Sequence, residues 1–127
     1  MKTVDTNILL RILVDDATDR KQLERVRELA LTLEQLYIPQ IVQVELVWIL
    51  KKTFTKEQIV FTLETLLKNS AYELEKRNIF ITALSYYQES NVGFSDCIIL
   101  AQAEEKAALP LLTFDKKLGK LTNTQLV

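Results

Sequence analysis

Four acidic residues of this sequence stand where ordinary solvent-facing acids are not expected: Asp5, Glu45, Asp96 and Asp115. Asp5 closes the strand-like opening within Val4-Asp5-Thr6-Asn7-Ile8. Glu45 falls mid-helix, with Ile41, Val42, Trp48 and Ile49 as its neighbours one turn away on either side, a setting that predicts a side chain turned toward the core. Asp96 opens a helical stretch followed by Ile99 and Leu100, and Asp115 directly follows the run Pro110-Leu111-Leu112-Thr113-Phe114. Burying an ionised carboxylate costs several kcal/mol unless a cation or hydrogen bonds compensate. Carboxylates gathered in one place also repel one another unless a divalent ion sits among them. Mg²⁺, with Mn²⁺ as a substitute, is the cation that such oxygen donors suit. Singly, Asp5 is also what a strand-end turn carries, Asp96 what a helix N-terminus favours, and Asp115 a common residue after a strand. It is the set of four that points to a metal site.

The scarcities of the chain point the same way. Among 127 residues there is no histidine, one cysteine (Cys97) and two glycines (Gly93 and Gly119). Ser-His-Asp and Cys-His nucleophile systems and imidazole-bound zinc are therefore excluded. So are an internal disulfide framework and glycine-rich phosphate loops. Apolar residues make up 48% and charged residues 26%, an ordinary globular balance, and the net charge is −1. The longest apolar runs, Leu46 to Leu50 and Cys97 to Ala101, are far below the ~20 residues that span a bilayer. Asp5 and Arg11 interrupt the N-terminus, so no signal segment is legible, and a soluble cytoplasmic protein with no membrane partner is expected.

The elements that must position the four acids alternate between strand and helix. A short strand at 2–5 precedes a brief helix at 7–14; Leu23, Val26, Ala30 and Leu33 then predict an amphipathic helix within 19–36. Leu36-Tyr37-Ile38-Pro39 reads as a strand, 41–52 as a helix apolar nearly all round and hence buried, and 57–68 as a helix with one apolar face. Tyr72 and Leu74 suggest a third strand, 79–87 a helix, and 96 to about 108 another, for which Ser95 offers a cap. Pro110 to Phe114 reads as a strand buried on both faces, and the tail 118–127 leaves room for one more. No linker or repeat divides residues 1–127, so a single domain is expected: an α/β three-layer α/β/α sandwich with a mainly parallel sheet of four to five strands. In such sheets ligands bind beyond the carboxyl ends of the strands. Asp5 and Asp115 end strands, while Glu45 and Asp96 are expected in first turns of helices starting on that side, so the four could converge. Trp48 and the phenylalanines read as core, Cys97 as a small buried hydrophobe, and Tyr86-Tyr87 as packing or dimer surface.

These pieces resemble the PIN-domain ribonucleases, and among them the VapC-type toxins of toxin–antitoxin pairs. The matching stretches are Val4 to Leu10, Val44-Glu45-Leu46, Phe94 to Ala101 and Leu112-Thr113-Phe114-Asp115, in the family's order and spanning essentially the whole chain. The resemblance implies a PIN-like fold in which Asp5, Glu45, Asp96 and Asp115 are the catalytic acids that hold Mg²⁺, with Thr6, Asn7 and Thr113 as polar helpers. It implies hydrolysis of RNA phosphodiester bonds by a toxin that inhibits translation and growth. The implied partners are an RNA substrate, a cognate antitoxin and a second copy of the chain, in a homodimer or a hetero-oligomer with the antitoxin. The chain departs from the family's pattern in carrying Lys116-Lys117-Leu118 where an aromatic often follows the fourth acid, and in lacking a glycine-rich C-terminal turn.

The near-zero net charge is unevenly spread. Residues 106–127 carry four lysines against Asp115 alone, and residues 71–105 two cations against six acids. Lys116, Lys117 and Arg11 are the expected RNA contacts, with Lys51 and Lys52 extending the rim, although each is also what a solvated surface carries. One alternative is a non-catalytic PIN-like module that binds RNA or protein. Another is a receiver-type signalling domain, which requires a phosphoacceptor aspartate mid-chain; no aspartate occurs between Asp19 and Asp96.

Overall fold

A computed structural model describes residues 1–14, 24, 25, 28 and 35–127. They form two compact units, Met1–Glu75 and Lys76–Val127. The helix expected within 19–36 lies outside the described residues except at positions 24, 25 and 28, which are helical.

The first unit contains β1 (Lys2–Thr3), α1 (Thr6–Leu13), β2 (Leu36–Ile38), α2 (Gln40–Leu50), α3 (Lys56–Lys68) and β3 (Tyr72–Leu74). Its strands pair in parallel in the order β1-β2-β3, with Lys2 beside Leu36 and Leu36 beside Tyr72. Helix α1 starts where it does because Asp5, in extended backbone, accepts a hydrogen bond from the Ile8 amide at 3.0 Å, satisfying one otherwise orphan donor. Helix α3 starts with a reciprocal capping box between Thr55 and Gln58 and buries Ile59, Leu63 and Leu66, a single apolar stripe. Helix α2 is braced by Gln43, which is fully buried and donates from Nε2 to the carbonyls of Ile38 (3.1 Å) and Glu75 (3.0 Å). One side chain thereby ties the ends of β2 and β3 to the helix that carries Glu45.

The second unit contains α4 (Arg77–Glu89), α5 (Phe94–Glu105), β4 (Leu111–Thr113), a 3₁₀ turn (Leu118–Lys120) and β5 (Thr124–Leu126). Phe80, Ala83 and Leu84 of α4 pack with Phe94, Cys97, Leu100 and Ala101 of α5, and the Phe94 ring meets Phe80 and Tyr87 edge-on at 5.9 and 5.7 Å. Gly93, not Ser95, is the cap of α5, which begins two residues earlier than expected. Strands β4 and β5 pair in parallel, Leu111 beside Thr124.

The α/β class and parallel pairing agree with the sequence. Among the described residues, five strands are divided three and two between the units, and the tail supplies the last of them. The burial of two segments does not agree. Leu112 is 62% exposed and Phe114 83% exposed, so the Pro110–Phe114 strand is not buried on both faces; among the described residues β4 pairs with β5 alone. Trp48 (66% exposed) and Phe61 (72% exposed) are likewise outside the core, whereas Cys97, Phe80 and Phe94 are within it as expected. Among the described residues, no helix is long and apolar enough to cross a membrane.

Candidate functional site

In the first unit the structure brings Asp5, Thr6 and Glu45 into one neighbourhood. Thr6 is the first residue of α1 and is buried, and its hydroxyl donates to Glu45 Oε2 at 2.8 Å, linking α1 to α2. Asp5, immediately before it, uses Oδ1 to cap the same helix. Asn7 follows on the exposed side of that first turn.

Glu45 does not point into the core. The inward residues of α2 are Val42, Gln43, Leu46, Val47 and Leu50, and Glu45 lies on the exposed side with Ile41 and Trp48. It also belongs to the second turn rather than the first. A helix with apolar residues on both sides does not reveal which side faces inward, and the inward setting expected for Glu45 does not hold. The polar residues carried the better signal. Glu45 and Lys52, the latter in the turn just after the helix, are seven apart and mark one side, and Trp48 falls between them.

In the second unit, Asp96 is the first-turn acid of α5, half-buried, and its carboxyl is held above the usual carboxylate range. Burial is the larger cause and the charge of Asp115 the second; both act in the same direction. Asp115 follows β4 and organises the turn after it. Its Oδ1 accepts from the amides of Lys117 (2.8 Å) and Leu118 (2.9 Å), while its own amide donates to Thr113 Oγ1 at 2.9 Å. Thr113 therefore fixes the backbone of the acid rather than its carboxylate. Lys116 and Lys117 are exposed beside it. Arg11, in the last turn of α1, is half-buried and lines an apolar pocket of about 250 Å³ with Leu10, Val14, Ile49 and Lys52.

Three of the four acids share a feature that bears on metal binding. Asp5, Glu45 and Asp115 each have one oxygen engaged by a short-range donor, which fixes the carboxylate plane and leaves the second oxygen as the group that could reach a cation. The remaining acid, Asp96, feels the negative charge of Asp115, which a divalent ion would offset. Every donor is a hard oxygen, the set that Mg²⁺ and Mn²⁺ prefer. Among the described residues there is no group of three or more acidic or cysteine side chains placed to hold a metal ion. Asp5 and Glu45 belong to the first unit, Asp96 and Asp115 to the second.

A family model for the PIN domain matches residues 2–123, and the chain belongs to that family. More particularly, it is similar to a VapC ribonuclease of Aquifex aeolicus (strain VF5), with 27% identity over 124 residues that cover 95% of this chain and 92% of the relative. No solved structure matches. The resemblance first carried by Asp5, Glu45, Asp96, Asp115 and their flanking residues is thus borne out at the level of the family.

Proposed function

We propose that the chain is a divalent-metal-dependent ribonuclease, the toxin of a toxin–antitoxin pair, which hydrolyses RNA phosphodiester bonds through Asp5, Glu45, Asp96 and Asp115. The observation that carries this reading is the Asp96–Asp115 relationship, in which burial and the charge of a second acid keep a half-buried carboxyl above its ordinary range. Perturbed acids of this kind are a mark of functional sites. The family membership and the ribonuclease relative supply the substrate class.

When bound, Mg²⁺ would supply charge neutralisation at the scissile phosphate and a lowered pKa for attacking water. The protein's own contribution is orientation. Thr6 holds Glu45, the start of α1 holds Asp5, and the turn after β4 holds Asp115, so three carboxylates keep a fixed plane without a metal. Glu45 and Asp115 act as ligands or as groups that orient water, with Asp5 and Asp96 as the main ligands. Such a route explains how cleavage proceeds with no histidine in the chain, because no imidazole acid–base pair is required. Lys116 and Lys117 contact the RNA backbone beside Asp115. One PIN-like domain comprising residues 1–127, a cytoplasmic setting, a homodimer and a protein antitoxin complete the proposal, and the last two rest on the VapC relation alone.

The test is incubation of purified, partner-free protein with total RNA in Mg²⁺ or in EDTA, followed by mapping of the cut ends. Cleavage only with Mg²⁺, leaving 5′-phosphates, supports the reading. Absence of cleavage under both conditions supports instead a PIN-like module that binds without cutting.

A further inference from the structure

We infer that Trp48 is a stacking platform for an unpaired RNA base next to Glu45, and that Lys52 pairs with the phosphate of the stacked nucleotide. The inference rests on the ribonuclease reading above and adds to it a residue that selects single-stranded RNA.

Trp48 is the only tryptophan of the chain, and it lies on the surface of α2 with 66% of its area exposed. It stands three residues beyond Glu45, which places it about 4.5 Å further along the helix axis on nearly the same face. The Lys52 ammonium lies over its ring, 4.7 Å from the centroid. That contact covers one face of the indole with positive charge, and the high exposure leaves the rest of the ring to solvent. An aromatic plane flanked by a cation is the arrangement by which proteins hold single-stranded nucleic acid, the ring taking a base and the cation a phosphate. Unpaired bases are available for such stacking, whereas bases inside an RNA duplex are not.

The other occupant that an exposed tryptophan could suit is an apolar protein segment. The order of residues along this face argues against it. Ile41, Glu45, Trp48 and Lys52 alternate apolar, acidic, aromatic and basic, so the two large apolar residues are separated by a carboxylate and bounded by an ammonium. Burying that pattern against an apolar partner would strip both charges of water without supplying partners. A nucleotide meets it differently, with its base on the ring and its phosphate at Lys52, and its sugar–phosphate chain then runs toward the proposed ligand Glu45.

The lone tryptophan allows binding to be read without cleavage. In EDTA, a short single-stranded oligoribonucleotide should quench Trp48 fluorescence, and inorganic polyphosphate, which carries the charge but no bases, should not. Trp48→Leu should weaken oligonucleotide binding about tenfold and raise KM for cleavage with kcat little changed, while Trp48→Phe retains most of the affinity. Lys52→Glu should weaken binding by a similar factor and reduce its salt dependence. If Trp48→Leu binds and cleaves RNA as the wild type does, the platform is overturned while the ribonuclease reading stands. If Trp48→Leu leaves RNA binding intact but abolishes inhibition by a protein partner, the face is a protein interface and the inference is wrong. If the wild type neither binds nor cleaves RNA, the ribonuclease reading itself falls.

Discussion

The hydroxyl of Thr6 donates to Glu45 Oε2 across 2.8 Å, joining the first turn of α1 to the exposed side of α2. Asp5, the residue before Thr6, caps the same turn, so a single backbone segment sets the position of two acids. The local device is small, yet it ties residue 6 to residue 45 and explains why a buried threonine occupies the start of α1.

Thr6→Val keeps the shape of this buried side chain and removes the donor. Stability should fall by about 1 kcal/mol, because the exposed Glu45 can replace the lost bond with water. RNA cleavage should fall about tenfold, since an unheld carboxylate samples unproductive orientations. Thr6→Ser should restore most of the rate. Urea unfolding and cleavage kinetics on the two variants check this; a Thr6→Val protein with unchanged rate contradicts the role of the contact.

Asp96 should titrate above the ordinary aspartate range in metal-free protein, and Asp115→Asn should bring its midpoint down only part of the way, because burial is the larger cause. The folded state holds this proton more tightly than the unfolded chain does. The stability contributed by Asp96 is therefore fully present below the unfolded pKa near ~3.9 and is lost as pH rises through the higher folded value. Mg²⁺ should move the midpoint down, because cation and proton compete for the carboxylate. Carboxyl-carbon NMR titrations with and without Mg²⁺ read all three effects, and a midpoint that does not respond to Mg²⁺ contradicts a ligand role for Asp96.

The Tyr86 hydroxyl donates to Glu104 Oε2 at 2.7 Å, and Asn123 Nδ2 donates to the same oxygen at 2.8 Å, joining α4, α5 and the turn before β5. The hydrogen bond to Glu104 is the main reason that the phenol is pushed up to about 12. The contribution of this bond to folding is present below pH ~10 and is lost as pH rises through the folded value. Burial also raises Tyr37, Tyr72 and Tyr87, so ultraviolet titration should show all the phenols late, with a component at about 12 from Tyr86 that Glu104→Gln moves back toward ~10.

Lys116 and Lys117 flank Asp115 on the exposed turn. Replacing both with glutamine should lower the slope of log binding constant against log salt for single-stranded RNA by roughly 1, and should weaken binding to all sequences alike. An unchanged slope means that neither lysine meets a phosphate.

The parts of the fold that could be read in advance are those where one physical pattern acts alone. Helix α3 buries Ile59, Leu63 and Leu66 at helical spacing, behind a capping box, and its bounds agree with the periodicity to within a residue. Helix α2 is apolar on two sides, so spacing alone did not show that Glu45 and Trp48 face outward while Gln43 is buried. Gln43 was invisible for a related reason: its role depends on the carbonyls of Ile38 and Glu75, and Glu75 is distant in sequence. The apolar run at β4 promised burial on both faces, but burial depends on what packs against a strand, which the run itself does not encode. The short motifs that carry the acids are local and so stand out in the sequence. The hydrogen-bond partners of the acids do not: Thr6 donates to Glu45, 39 residues away, whereas Thr113 engages the backbone of Asp115.

The central claim is that these carboxylates perform metal-dependent hydrolysis of RNA, and Asp5→Asn tests it most directly. Asparagine caps helices about as well as aspartate, so α1 should be retained, with an unaltered circular-dichroism spectrum and a nearly unchanged urea midpoint. Rates of RNA cleavage in Mg²⁺ should nevertheless fall at least a hundredfold, because the neutral amide is a poor ligand for a hard cation. A folded Asp5→Asn protein that cleaves RNA at the wild-type rate contradicts the claim.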